Sequence, residues 1–222
     1  MKPESRFEKR FILFILSILL NFSMSIKVPR QFYTRDETLK VARDLLGKIL
    51  VVPTESGERV SGMIVETEAY LGAIDKAAHS YGNRRTPRTE MMFAEGGTVY
   101  IFFIYGMYFQ FNIVAGAVDS PHAVLIRAVA PVEGIEIMRE RRGQMKDANL
   151  TSGPGKLCIA FGIDKTFNGE NLLGERVWLE DGEPFTDAQI ASGKRIGIDY
   201  AQEFAEKPWR FWVKDNLFVS RK

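Results

Sequence analysis

The segment Gly62-Met63-Ile64-Val65-Glu66-Thr67-Glu68-Ala69-Tyr70 places the strongest constraint on what this chain can form. Its β-branched and apolar residues favour an extended strand, in which alternate side chains point to opposite faces. Ile64, Glu66, Glu68 and Tyr70 should therefore share one face, with Val65, Thr67 and Ala69 on the other. Carboxylates form strands poorly and are costly to bury, so a Glu-x-Glu-x-Tyr face demands either solvent or a chemical role. An edge strand with one wet face would meet the first demand, and a buried reaction centre the second.

The rest of the chain bounds that choice. With 222 residues, 45% of them hydrophobic and 26% charged, it can bury one well-packed domain and is not disordered. The net charge is +2, and setting aside the first residues, with Lys2, Arg6, Lys9, Arg10, Glu4 and Glu8, leaves 26 basic and 26 acidic side chains. Overall charge therefore announces no polyanionic partner. Local clustering does more, with Lys76, Arg84, Arg85 and Arg88 in one loop and Arg139, Arg141, Arg142, Lys146 and Lys156 in a later stretch, although charge runs are commonly solvated faces. One cysteine (Cys158) and two histidines (His79 and His122) exclude an internal disulfide and argue against a Cys/His zinc site, so metal-free, cofactor-free chemistry is expected.

Lys9 and Arg10 precede the apolar run Phe11–Leu20, and Ser23-Met24-Ser25 supplies small residues beyond it. This reads either as a secretory leader, too short for a membrane span of about 20 residues, or as an upstream mis-start with translation beginning at Met24. The expected division is residues 1–23 as leader or mis-start and 24–222 as one functional domain.

Thr34 and Glu37 have capping-box spacing ahead of Leu39, Ala42, Leu45 and Leu46, which predicts a helix over residues 36–46. Strands are predicted at Ile49 to Pro53, at the Glu66/Glu68 segment, in a hairpin made of Thr98 to Tyr105 and Met107 to Ala115, at Ala123 to Ala130, at Val177 to Glu180 and at Trp209 to Val213. Further helices are expected at Ile135 and Met138, from Ser152-Gly153-Pro154 through Phe161, and near Tyr200 to Glu206, with a polar stretch up to Gly193. These elements describe a single α+β domain, a largely antiparallel curved sheet with surrounding helices and a protruding aromatic hairpin. The hairpin turn at Gly106 carries Tyr105 and Met107 where polar residues are usual. Such a tip is either covered by another element or used as a wedge that unstacks a base step.

Taken together, Val65-Glu66-Thr67-Glu68-Ala69-Tyr70-Leu71-Gly72, Ala77-Ala78-His79-Ser80, Thr86-Pro87-Arg88, Tyr105-Gly106-Met107-Tyr108, Ser152-Gly153-Pro154 with Lys156-Leu157-Cys158, and Lys207-Pro208 resemble the alkyladenine (3-methyladenine) DNA glycosylase family, over residues 27–220. The resemblance implies a monofunctional glycosylase that flips alkylated or deaminated purines out of damaged double-stranded DNA for base excision repair. The substrates it implies are 3-methyladenine, 7-methylguanine, hypoxanthine and ethenoadenine. By the same resemblance Glu68 is the general base, and Arg127 and the main-chain carbonyl of Ile196 help hold the attacking water. Tyr70, His79 and Phe102 line the base pocket, and Asn112 disfavours guanine at its wall. Tyr105 and Met107 enter the gap left in the duplex, while Arg84 and Lys156 contact phosphates. Phe102 stands where some relatives carry a tyrosine, so stacking is retained and a hydroxyl hydrogen bond is lost. A structural role is expected for Glu66 and none is assigned to His122. A monomer working in the cytoplasm with the DNA, and off the membrane if Met24 is the start, completes the expectation. Two other readings fit the residues: a DNA-lesion-binding module without catalysis, and a secreted glycoside hydrolase using Glu66 and Glu68.

Overall fold

In the computed structural model, which describes residues 26–104, 106–143 and 145–221, the Glu66/Glu68 segment is not an edge. The strands are β1 (Ile49–Pro53), β2 (Arg59–Tyr70), β3 (Val99–Ile104), β4 (Tyr108–Ala115), β5 (His122–Glu133), β6 (Trp178–Glu180), β7 (Ile190–Gly193) and β8 (Arg210–Val213). They form one antiparallel sheet in the order β3-β4-β5-β2-β1-β6, with β8 pairing to β2 and β7. β2 has β5 along one side, while the other side is shared, β1 meeting Arg59–Met63 and β8 meeting Glu66–Glu68. Both carboxylates thus lie in the middle of the sheet and are fully buried.

The exchange of partners coincides with two compensating bulges. Ile64 faces Val129 and Glu66 faces Ala128, which leaves Val65 as an extra residue on β2; Thr67 then faces Ile126, which leaves Arg127 extra on β5 and restores register by Glu68 and Leu125. Bulges re-aim side chains. Here Ile64 joins Val65 in the main core instead of sharing the face of Glu68, contrary to simple alternation. Arg127 is turned to the carboxylate face.

The helices are α1 (Arg30–Tyr33), α2 (Thr38–Asp44), α3 (Ile135–Arg141) and α4 (Pro154–Phe161). Val41 and Ala42 of α2 and Leu157, Cys158 and Phe161 of α4 pack with Val124 and Ile126 of β5 and Phe111 and Ile113 of β4. Thr67 Oγ1, on this face, donates to the Ala42 carbonyl at 2.8 Å. Helices therefore cover one face of the sheet, and the opposite face is left to loops.

The α+β architecture is as expected, with four local differences. Thr34 caps the end of α1, α2 starts at Thr38 with no side-chain cap, and a capping box is found instead at Thr186 with Gln189. β5 continues through Pro131 to Glu133, because a register shift between Ser61 and Gly62 falls opposite the proline, where a missing N–H is tolerated. The polar stretch before Gly193 contains β7, which exists through its pairing with β8. The segment near Tyr200 is a kinked 3-10 turn, Asp199–Phe204. No helix among the described residues is long and apolar enough to cross a membrane. The expectations for residues 1–23 and for Tyr105 fall outside the described residues.

Candidate active site

Directly opposed residues of antiparallel strands point to the same face. The pairs Arg210↔Glu68, Glu68↔Leu125, Leu125↔Asn112 and Asn112↔Tyr100 therefore draw one row of side chains across β8, β2, β5, β4 and β3. A second pair, Phe102↔Gln110, lies on the same face. With Tyr70 and the loops carrying His79 and Ile196, the Leu125, Asn112, Tyr100, Phe102 and Gln110 part of this row encloses a cavity of about 410 Å³, also lined by Arg127.

Glu68 is fully buried and does not itself line the cavity; it lies behind three residues that do, Tyr70, Arg127 and Ile196, and is gripped by all three. Oε2 accepts from Tyr70 Oη at 2.9 Å, Oε1 accepts from the Ile196 main-chain N–H at 2.7 Å, and Arg127 Nη1 lies 3.2 Å from Oε1. The peptide of Ile196 thus meets Glu68 through its N–H, a contact that the sequence did not suggest. Burial and the neighbouring Glu68 charge hold the Tyr70 hydroxyl well above its ordinary pKa, so it stays a donor. Glu66, two residues earlier, is saturated: Arg127 Nε (3.0 Å), the Ser220 N–H (2.6 Å) and Ser220 Oγ (2.9 Å) donate to it, and Arg210 lies at 3.6 Å. Two carboxylates and two guanidiniums, all buried, balance in formal charge, and neither acid is left unpaired.

The loops are fixed to this centre by a second buried pair. Arg195 Nη1 and Nη2 donate to Asp75 at 2.5 and 2.9 Å, and Nη1 also donates to the Ala69 carbonyl, with both side chains fully buried. Asp75 also accepts from the N–H groups of Leu71 and Ala77. The pair joins the loop that delivers His79 to the segment that delivers Ile196.

His79 bonds Tyr100 Oη through Nδ1 at 3.1 Å and stacks on Phe102 with centroids 3.7 Å apart. The Arg88 guanidinium lies 4.1 Å over the same ring. Two groups at contact distance cannot share one ring face, so both faces of Phe102 are covered. Phe102 is thus held between His79 and Arg88 while still lining the cavity. Burial, together with the Arg88 charge, lowers the His79 pKa to about 4. Asn112 lines the cavity, its Nδ2 donating to the carbonyls of Tyr100 (3.1 Å) and Gln110 (3.2 Å).

His79, Phe102 and Tyr200 also border a second cavity of about 390 Å³, into which Lys76, Arg84 and Arg88 open. Lys156, in the first turns of α4, reaches Ser152 Oγ at 3.3 Å, and the adjacent Pro154 lines the first cavity. Met107 is 63% exposed, so the hairpin tip is not covered by another element of the described structure. Gly106 makes the turn with φ of +67°. His122 bonds Thr38 Oγ1 at 2.7 Å, away from the cavity lining. No cluster of three or more His, Cys, Asp or Glu suited to a metal occurs among the described residues.

Residues 31–217 match the family model described as methylpurine-DNA glycosylase. Relatives carrying the name "Putative 3-methyladenine DNA glycosylase" include one from Clostridium novyi (strain NT), 50% identical over 88% of this chain and 99% of its own. Another is from Alkaliphilus oremlandii (strain OhILAs), 51% identical over 89% of this chain and 100% of its own. A third is from Desulfitobacterium hafniense (strain Y51), 48% identical over 88% and 99%.

Proposed function

The chain belongs to the methylpurine-DNA glycosylase family, and from that premise, which makes it a DNA glycosylase that hydrolyses N-glycosyl bonds, we propose that it excises alkylated or deaminated purines from duplex DNA by flipping the damaged nucleotide into the cavity whose lining residues hold Glu68. The observation that carries this reading is the position of Glu68: a buried carboxylate held by Arg127, Tyr70 and the Ile196 peptide, all three of which line the aromatic cavity. Each carboxylate oxygen has more than one acceptor site, so Oε2 can still take a water beside the Tyr70 hydroxyl.

In the proposed reaction Glu68 accepts a proton from that water as the water oxygen bonds to C1′. The bond from C1′ to N9 breaks, and its electron pair leaves with the purine. Positive charge develops on the sugar as this happens, and the buried carboxylate stabilises it. Arg127 and the carbonyl of Ile196 hold the water. Tyr70, His79 and Phe102 enclose the base, and Asn112 rejects the exocyclic amine of guanine. Cationic bases such as 3-methyladenine and 7-methylguanine suit the aromatic lining, and hypoxanthine and ethenoadenine depend more on the general base. Tyr105 and Met107 fill the gap in the duplex, and Arg84 and Lys156 hold phosphates. Flipping costs about a few kcal/mol and less at a damaged or mispaired base, which selects lesions before chemistry begins. No lysine lines the cavity among the described residues, in keeping with a monofunctional enzyme that leaves an abasic site. The enzyme works as a monomer in the cytoplasmic compartment that holds the DNA.

Glu68→Gln tests the reading on duplexes carrying hypoxanthine or ethenoadenine. Alkali-dependent strand breaks should fall by about 10²- to 10⁴-fold, the usual worth of a general base, while lesion binding persists. Binding without release of any base by the wild-type chain would instead establish a lesion-binding module.

A further inference from the structure

Arg127 presents three nitrogens to three different acceptors: Nε to Glu66, Nη1 to Glu68 and Nη2 to Ser220 Oγ at 3.3 Å. A guanidinium held at two points can still pivot about the line between them. The third contact fixes its plane. Ser220 in turn grips Glu66 with both of its donors, the main-chain N–H on Oε2 and the hydroxyl on Oε1. The segment carrying Ser220 is itself pinned on both sides, by Val219 in the main core and by Arg210 Nη2 donating to the Arg221 carbonyl at 2.9 Å. Arg221 reaches the lining of the first cavity.

We propose that the segment Val219–Arg221 completes the active site, with Ser220 as the positioning residue that sets Glu66 and Arg127 so that Arg127 meets Glu68. This rests on the reading of Glu68 as the base. Ser220 does not touch Glu68, so its effect travels through the guanidinium. Removing its hydroxyl takes an acceptor from Arg127 and a donor from Glu66, and leaves the N–H contact from the Ser220 main chain in place. The remaining contacts of Glu66 and Arg127 let the chain fold, at some cost in stability for the lost hydrogen bonds. The orientation of Arg127 suffers, and misplacing a group that orients water slows the chemical step without weakening DNA binding.

Single-turnover rates on duplexes carrying hypoxanthine or 7-methylguanine, with Ser220→Ala, Ser220→Thr and Glu68→Gln side by side, test this. Ser220→Ala should slow hypoxanthine release about tenfold, the worth of a hydrogen bond to a charged group, with lesion affinity unchanged and 7-methylguanine release on the same preparation as the control for any general loss of stability. Release of 7-methylguanine, a cationic leaving group less dependent on an activated water, should be slowed less. Ser220→Thr, which keeps the hydroxyl, should restore the rate. A Ser220→Ala enzyme as fast as wild type, beside an inactive Glu68→Gln, overturns the positioning role alone. Equal losses on both lesions also overturn it, as a structural effect. A fully active Glu68→Gln overturns the assignment of the base and the role of Ser220 together.

Discussion

His79 illustrates how a single side chain is tuned by its neighbours. Burial lowers its pKa to about 4 and the Arg88 charge adds to the effect, so the imidazole is neutral at pH 7. Because the folded value lies below the ordinary 6.5, the unfolded chain binds the extra proton between these limits. The contribution of His79 to stability is therefore complete above pH 6.5 and declines as the pH falls towards about 4. Arg88→Gln should move the imidazole titration upward, towards 6.5, as followed by NMR of the ring protons; an unmoved titration would mean that burial alone sets it. The shared face of Glu68 and Tyr70 was legible from local strand alternation, whereas the expectations for Arg127 and His79 came with the family resemblance. The contacts of Ser220 and Arg210 with Glu66 were not legible, since they join positions far apart in the chain and involve residue types common on any surface.

At the scale of elements, the site depends on how two loops are held to β2. The Asp75–Arg195 pair is fully buried and saturated on its carboxylate side, so removing one partner strands a buried charge. Asp75→Ala should lower unfolding free energy by about 3–5 kcal/mol in denaturant titrations. A loss within ordinary surface values would show that the loops are held by packing alone. Alternation and turn residues made β1 to β6 and the hairpin readable from sequence. β7 was missed because Ile190-Ala191-Ser192-Gly193 has no strand pattern of its own and takes its conformation from β8. The position of Ile64 was misjudged for a related reason: strict alternation assumes an unbroken ladder, and a bulge at Val65 cannot be seen without the partner strand.

For the whole molecule, the near balance of acidic and basic residues means that DNA binding must come from placement rather than net charge. Arg84 opens into the second cavity, while Lys156 sits on α4 beside Pro154 of the first cavity's lining. Arg84→Ala and Lys156→Ala should each weaken binding to damaged and undamaged duplexes alike, and each should reduce the slope of log affinity against log salt by about 1. A substitution that leaves the slope unchanged touches no phosphate.

The row of opposed residues that runs along and behind the cavity takes a member from each of five strands, and the carboxylate network closes only at residue 220. No early fragment of the nascent chain can hold that arrangement, and the pairings behind it are distant in sequence, which makes their formation slow relative to local structure. Catalytic competence should thus emerge late, after translation has passed residue 220 and the sheet has closed around β2. Recovery of base excision during refolding would then report the last step of folding, and partially synthesised chains would pose no hazard to undamaged bases.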